Sequence, residues 1–125
     1  MIQEYNPNPH GKRVGDCVVR AVCKALDKTW YEAFIELCIQ ALLLGDMPST
    51  NAVWASLLRS YGFKKDIVSD ECPECYTIGE FAKEHPVGTY VVGTGSHAVC
   101  IKNGTIYDSW PSADETAIYF YYKGE

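Results

Sequence analysis

The apolar pattern of this chain changes its period at Pro86, and that change limits the folds open to it. Before Pro86 apolar residues recur at helical spacing, as in Val18, Val22 and Leu26. After it, segments rich in Val, Ile and Tyr are separated by turn residues, which is typical of strands. Helices followed by an antiparallel sheet predict an α+β fold. The 125 residues suffice for one core, so we expect a single domain over residues 1–125.

Capping and stop signals predict four helices. The first is expected to begin at Cys17 with Asp16 as its N-cap. The bounds predicted for the other three are Thr29 to about Leu44, Thr50 or Asn51 to Gly62, and Thr77 to Pro86. Each of these helices ends at a glycine or proline, the residues that most often stop a helix.

A C-terminal four-stranded antiparallel sheet is predicted after the helices. The expected strands are Gly88 to Thr94, Ser96 to Lys102, Thr105 to Trp110 and Ala117 to Tyr122. Asn103-Gly104 is a strong signal for a two-residue hairpin turn between the second and third of them. The first sixteen residues are expected to be an irregular lead-in, and Phe63 to Val68 either a short strand or an extended segment.

Composition excludes several classes of function. The net charge of −5 argues against a nucleic-acid partner. No apolar run approaches the ~20 residues of a membrane helix, and the N-terminus lacks the pattern of a signal peptide. We therefore expect a cytoplasmic protein with no membrane partner, and the sequence leaves its oligomeric state open. Cys23, Cys38 and Cys100 are expected to be small buried thiols.

Cys17, His97 and Asp108 are the candidate catalytic residues. A helix N-terminus and a nearby imidazolium favour the thiolate form of a cysteine, which is the nucleophile. His97 interrupts an apolar strand, and a buried imidazole needs hydrogen-bond partners. Pairing about the Asn103-Gly104 turn places 99 opposite 108, so that Asp108 shares a face with His97. Trp110 is placed to shield the bond between His97 and Asp108 from water.

Two further features leave alternatives open. Cys72-Pro73-Glu74-Cys75 is half of a zinc site without a second pair of ligands, so zinc, a disulfide and free thiols all remain possible there. No metal ion or cofactor is otherwise predicted. Arg20 is expected to neutralise Asp16 at the i, i+4 position or to bind a substrate carboxylate.

These residues and their order resemble the papain-like cysteine peptidases, in particular the small bacterial and phage members and the bacteriocin leader peptidases. The resemblance spans Asn6 to about Tyr121 and implies a papain-like fold. It implies that Cys17 attacks a carbonyl, His97 shuttles the proton and Asp108 orients His97. The family usually has a glutamine six residues before the cysteine as oxyanion donor, and Gly11 stands there in this chain. Asn8, and after it Asn6, are the replacement candidates.

The resemblance predicts a cysteine peptidase or amide hydrolase that acts on a peptide or isopeptide bond of a peptide or protein substrate. Amidase, isopeptidase and acyltransferase chemistry would use the same three residues, so the bond remains open. The alternative is a catalytically silent papain-like interaction domain of phage or mobile-element origin.

Overall fold

The computed structural model describes residues 2–68 and 76–123 and has an α+β fold. Four helices lie at α1 (Cys17–Leu26), α2 (Trp30–Leu44), α3 (Asn51–Ser60) and α4 (Ile78–Glu84). Six strands lie at β1 (Ile2–Glu4), β2 (Phe63–Ile67), β3 (Thr89–Gly93), β4 (Ala98–Lys102), β5 (Thr105–Asp108) and β6 (Tyr119–Lys123). The helices therefore precede most of the sheet, as the change in apolar period predicts.

Local capping chemistry fixes the helix ends. Thr29 and Thr77 each form a complete capping box, in which the threonine side chain accepts from the backbone N–H of the glutamate three residues on. Gly45 ends α2 in the left-handed conformation at φ 67°. All four predicted helices are present and begin at the predicted residues or next to them.

The sheet is larger than predicted. Its strand order is β1-β5-β4-β3-β6-β2, and the four predicted strands, β3 to β6, pair antiparallel. The prediction of a four-stranded antiparallel sheet was wrong in extent, because β1 adds to β5 in parallel and β2 adds to β6. Both added strands are at the edges and mostly exposed, so neither carries the apolar alternation by which a half-buried strand is recognised.

The hairpin between β4 and β5 has the predicted register. Cys100 pairs with Tyr107, and Lys102 pairs with Thr105 across the turn. Asn103 and Gly104 have positive φ values of 51° and 79°, as a type I′ turn requires. The register therefore brings the end of β5 beside the start of β4.

Two apolar clusters cover the two faces of the sheet. The larger one packs α1, α2 and α3 against side chains such as Val91 and Cys100, and the smaller one packs α4 against side chains such as Ile101 and Ile106. In the described residues, none of the helices has the length and apolar character needed to cross a membrane. Helix α1 packs mainly on β4, so the first residue of α1 is held near the start of that strand.

The other cysteines differ in burial. Cys23 and Cys100 are buried as predicted, whereas Cys38 is only partly buried and that part of the prediction was wrong. Cys38 lies on α2, a helix whose outer side leaves several apolar residues exposed, so the apolar pattern around it did not imply burial. Cys72 and Cys75 lie outside the described residues.

Candidate active site

The three residues predicted to form a catalytic triad lie together at one end of the sheet. Cys17 begins α1, His97 immediately precedes β4, and Asp108 ends β5. The Nε2 atom of His97 donates to Oδ2 of Asp108 at 2.7 Å, because a carboxylate can only accept. The Cys17 thiol lies next to the imidazole, acts on its pKa and lines the same two clefts. Nδ1 is the imidazole nitrogen that the bond to Asp108 leaves free. His97 thus stands between a thiol and a carboxylate.

The surroundings of Cys17 lower the pKa of its thiol. Partial burial by itself would raise this pKa. Hydrogen bonds from the His97 imidazole and the Ala98 backbone N–H, together with the positive charges of His97 and Arg20, outweigh the burial and lower the pKa below its ordinary value. The site therefore favours the thiolate, which is the nucleophilic form.

The pKa of His97 moves in the opposite direction. Burial of the ring by itself would lower this pKa, but the hydrogen bonds and negative charges of Asp108 and Cys17 raise it to about 9. At neutral pH the imidazole therefore keeps its proton, and the thiol beside it loses its own proton more readily than an ordinary cysteine does. The two shifts together favour a thiolate next to an imidazolium.

Asp108 is buried, with 1% of its surface exposed, and is held by several donors. Burial would raise the pKa of its carboxyl, but the bonds from His97, the Ser112 hydroxyl and the Ser109 backbone N–H lower it. Ser112 donates its hydroxyl to Oδ2 at 2.6 Å and is itself buried. Ser112 was not predicted as a site residue, because it lies four residues beyond Asp108 in an irregular segment.

Arg20 connects the helix that carries Cys17 to Asp108. Its guanidinium donates to Oδ1 of Asp16 at 2.6 Å and to Oδ1 of Asp108 at 3.0 Å, and it is 3% exposed. The expected i, i+4 pair with Asp16 is confirmed. The bond to Asp108 was missed, although a lone cation between the apolar Val19 and Ala21 signals a buried partner of opposite charge.

Asp16 occupies the N-cap position of α1, but its side chain makes no capping hydrogen bond. The prediction that Asp16 caps the helix through its carboxylate was therefore wrong. Its Oδ1 atom accepts from Arg20, and Oδ2 accepts from the indole N–H of Trp30 at 2.9 Å. Because the carboxylate is turned to those donors, it does not satisfy the backbone N–H groups at the start of α1, where Cys17 lies.

Trp110 covers His97. The two ring centroids are 4.3 Å apart with 31° between the planes, and the Trp110 side of this pair is the solvent side, with 45% of the residue exposed. The guanidinium of Arg20 lies 5.5 Å from the Trp110 ring centroid. Trp110 is therefore positioned to limit the access of water to the bond between His97 and Asp108.

The two asparagines predicted as oxyanion donors make hydrogen bonds within the N-terminal segment. The side-chain N–H of Asn6 donates to the backbone oxygen of Lys12 at 3.2 Å, and Oδ1 of Asn8 accepts from the backbone N–H of His10 at 2.8 Å. Asn51, by contrast, lines the same cleft as Cys17 and His97. Its Oδ1 atom accepts from the indole of Trp54 at 3.0 Å, which leaves its amide N–H group to donate.

Two clefts open on either side of Cys17 and His97. One, which we call the Trp54 compartment, has a volume of about 160 Å³ and is lined also by Val18, Ser49, Asn51, Trp54 and Tyr119. The other, which we call the Trp110 compartment, has a volume of about 500 Å³ and is lined also by Val14, Asp16, Arg20, Trp110 and Glu115. A chain laid across the thiol would enter both.

The described residues contain no cluster of three or more His, Cys, Asp or Glu side chains arranged to hold a metal ion. Cys72 and Cys75, the half zinc site of the sequence, lie outside that part of the chain. The reactive groups that the described site brings together are the thiol, the imidazole and the carboxylate.

Comparison of the chain with protein-family models, curated proteins and solved structures gives no match. Overall similarity therefore does not assign the chain to a family.

Proposed function

We propose that this chain is a papain-like cysteine peptidase or amide hydrolase with Cys17, His97 and Asp108 as its triad. The observation that carries the proposal is the buried His97, which bonds Asp108 through Nε2 and lies beside the Cys17 thiol in the same clefts. A base that is itself oriented by a third group is the arrangement that nucleophilic catalysis requires. The placement of the thiol at a helix N-terminus supports the same function.

The chemistry follows from the two protonation states. The Cys17 thiolate attacks the carbonyl carbon of the substrate amide and forms a carbon–sulfur bond. When the carbon–nitrogen bond breaks, the leaving amine takes the proton that His97 Nδ1 holds. Water then attacks the thioester, His97 accepts its proton, and the acid product leaves as the thiol is regenerated. Asp108 keeps the imidazole oriented through both steps.

Hydrogen-bond donors around Cys17 would stabilise the oxyanion that forms when the thiolate attacks the carbonyl. The Cys17 backbone N–H, at the first position of α1, is one donor, and the amide of Asn51 is the second that we propose. Loss of a single donor of this kind costs ~2.7 to 4 kcal/mol of transition-state stabilisation. Asn51 therefore replaces Asn8 and Asn6 in our assignment, since Asn51 lines a cleft with Cys17 and His97 and the other two line neither of the two clefts described above.

The two clefts beside Cys17 and His97 limit the substrate. Their volumes of about 160 and 500 Å³ have room for only a few substrate side chains. We propose a narrow substrate range, such as one peptide or one protein partner, rather than general digestion.

Selective alkylation of Cys17 tests the proposal. We expect iodoacetamide at pH 7 to label Cys17 at least tenfold faster than Cys38, because only Cys17 bonds to an imidazolium. Cys38 is a partly exposed thiol on α2 of the same molecule and serves as the internal reference. Peptide mapping by mass spectrometry gives both rates from one sample.

The matched control compares two histidines. His97→Ala should reduce the Cys17 rate to that of Cys38, whereas His10→Ala, in the exposed N-terminal segment, should leave it unchanged. Equal rates for Cys17 and Cys38 in the unaltered protein would sink the catalytic proposal.

A non-catalytic interaction domain is the second candidate. It is favoured by the apolar side chains that α2 and the residues after it leave exposed, among them Ile35, Leu42, Leu43 and Met47. The same alkylation experiment separates the two candidates, because a silent domain has no need of an activated thiol.

A further inference from the structure

Several charged groups that line the Trp110 compartment are already paired with groups of opposite charge. Asp16 is occupied on both oxygens, by Arg20 and by the Trp30 indole. Arg20 is shared between Asp16 and Asp108, so its charge is matched within the buried network. The imidazolium of His97 is likewise paired with Asp108. The charges of the two carboxylates therefore balance those of Arg20 and His97, and this network leaves little net charge for a ligand.

Glu115 is the exception. Within the described residues, no lysine, arginine or histidine nitrogen lies within 4.0 Å of its carboxylate. One carboxylate oxygen, Oε2, accepts from the Trp110 indole N–H at 3.1 Å. The other oxygen is left for a ligand, and the side chain lines the same cleft as Cys17.

The position of Glu115 is fixed by its backbone. Its N–H donates to the Ser112 oxygen at 3.0 Å, and its own carbonyl accepts from the Ile78 N–H, at the first residue of α4, at 2.9 Å. The carboxylate therefore stands at a defined place in the wall of the cleft. Next to it, Trp110 already has His97 and the Arg20 guanidinium beside its ring, and its exposed part offers an apolar surface for the stem of a long cationic side chain.

We propose that the Trp110 compartment binds a cationic side chain of the substrate, a lysine or an arginine, beside the bond that Cys17 attacks. This inference rests on the proposed function, since it assigns substrate preference to the same site. The compartment is the larger of the two and supplies both a carboxylate and an aromatic ring. The net charge of −5 adds a long-range attraction for basic peptides.

A simpler role for Glu115 would be to hold the Trp110 indole in place. The variant Glu115→Gln separates the two roles, because the glutamine oxygen still accepts from the indole N–H while the negative charge is removed. Asp114→Asn is the matched control, since it removes the same charge from an exposed neighbour that does not line the compartment.

Charged thiol reagents measure the preference without a substrate. We use 2-aminoethyl, methyl and 2-sulfonatoethyl methanethiosulfonate, which carry a positive, no and a negative charge. Each forms a mixed disulfide with Cys17 and releases methanesulfinate. The rate at Cys38 in the same sample corrects for the intrinsic reactivity of each reagent.

We expect Glu115→Gln to lower the ratio of the cationic to the neutral rate at Cys17 by about threefold or more at low salt, with the neutral rate unchanged. The anionic to neutral ratio should rise. Asp114→Asn should leave both ratios within experimental error. Unchanged ratios in Glu115→Gln, or an equal change in Asp114→Asn, would overturn the inference.

The two proposals fail in different ways. If the neutral reagent modifies Cys17 no faster than Cys38, the proposed function fails. If the neutral reagent modifies Cys17 quickly, but the ratio of the cationic to the neutral rate is the same in Glu115→Gln as in the unaltered protein, only the proposed cation preference fails.

Discussion

The buried side chain of Arg20 pairs with two carboxylates next to the candidate site, Asp16 and Asp108. A buried guanidinium is tolerated only where carboxylates satisfy it, and Arg20 has one on its own helix and one on β5. Every buried side-chain nitrogen and oxygen in the described residues has a hydrogen-bond partner, so the network has no spare acceptor. Removal of Arg20 would leave Asp16 without a cationic partner and Asp108 with His97 as its remaining one.

We predict that Arg20→Gln lowers the free energy of unfolding by about 3 to 5 kcal/mol, as expected when one partner of a buried ion pair is removed. Urea denaturation at pH 7 measures the loss. Because the Arg20 charge also helps to lower the pKa of Cys17, the alkylation rate of the folded variant should rise at a higher pH than in the unaltered protein.

Arg13→Gln is the matched control for this prediction. Arg13 also pairs with a glutamate, Glu4, but both side chains are more than half exposed. An exposed pair contributes about 0 to 1 kcal/mol. A similar loss of stability in the two variants would contradict the role assigned to Arg20.

Sequence reasoning found Cys17, His97 and Asp108 because each stands out from its local pattern. Cys17 follows a capping signal, His97 interrupts an apolar strand, and Asp108 follows a hairpin whose register can be counted. Asn51 and Glu115 could not be found in the same way, because they reach the cleft only through tertiary packing. The bond between Arg20 and Asp108 likewise spans the helix and sheet halves of the chain.

At the scale of elements, the β4–β5 hairpin sets the distance between His97 and Asp108. Its turn depends on two consecutive residues with positive φ, Asn103 and Gly104. An added methyl group at Gly104 meets its nearest neighbours at 3.5 Å, which is ordinary contact. The cost of a larger residue there therefore comes from the backbone conformation and not from crowding.

We predict that Gly104→Ala lowers the free energy of unfolding by about 1 to 2 kcal/mol, the cost of the left-handed conformation for a residue with a Cβ. Urea denaturation measures it. Gly95→Ala is the control, because its backbone is not in that region and an added methyl group there meets no heavy atom within 4 Å. Equal losses in the two variants would show that the turn conformation is not the cause.

The two edge strands were the hardest elements to predict. Strand β1 lies in the segment that was expected to be irregular, and β2 confirms one of the two alternatives predicted for Phe63 to Val68. Apart from Phe63 both strands are exposed, so pairing with β5 and β6 defines them. Helices were easier to locate, because Thr29 and Thr77 satisfy backbone N–H groups locally and leave a signature in the sequence. Edge strands depend on partners that are distant in the chain and leave no such signature.

At the scale of the whole molecule, folding brings together two titrating groups from opposite halves of the chain. In the unfolded chain the thiol has an ordinary pKa of ~8.5 and the imidazole one of ~6.5. Between about pH 6.5 and pH 8.5 the two groups therefore hold one proton, and the sulfur carries it. In the folded state the lowered pKa of Cys17 favours loss of its proton, and the raised pKa of His97 favours uptake of one. The two groups therefore change the number of bound protons in opposite directions on folding.

The stability that the pair contributes should therefore depend less on pH than the contribution of His97 by itself, and Cys17→Ser should reveal the histidine alone. A group whose pKa is raised by folding contributes stability that is complete below its unfolded pKa and is lost as the pH rises through its folded pKa. In Cys17→Ser the bond to Asp108 still raises the pKa of His97, so the free energy of unfolding should fall by up to ~1.4 kcal/mol per pH unit above pH ~6.5. Urea denaturation of both proteins from pH 6 to pH 9 measures the two slopes. Parallel curves would contradict the opposite pKa shifts of Cys17 and His97 on folding.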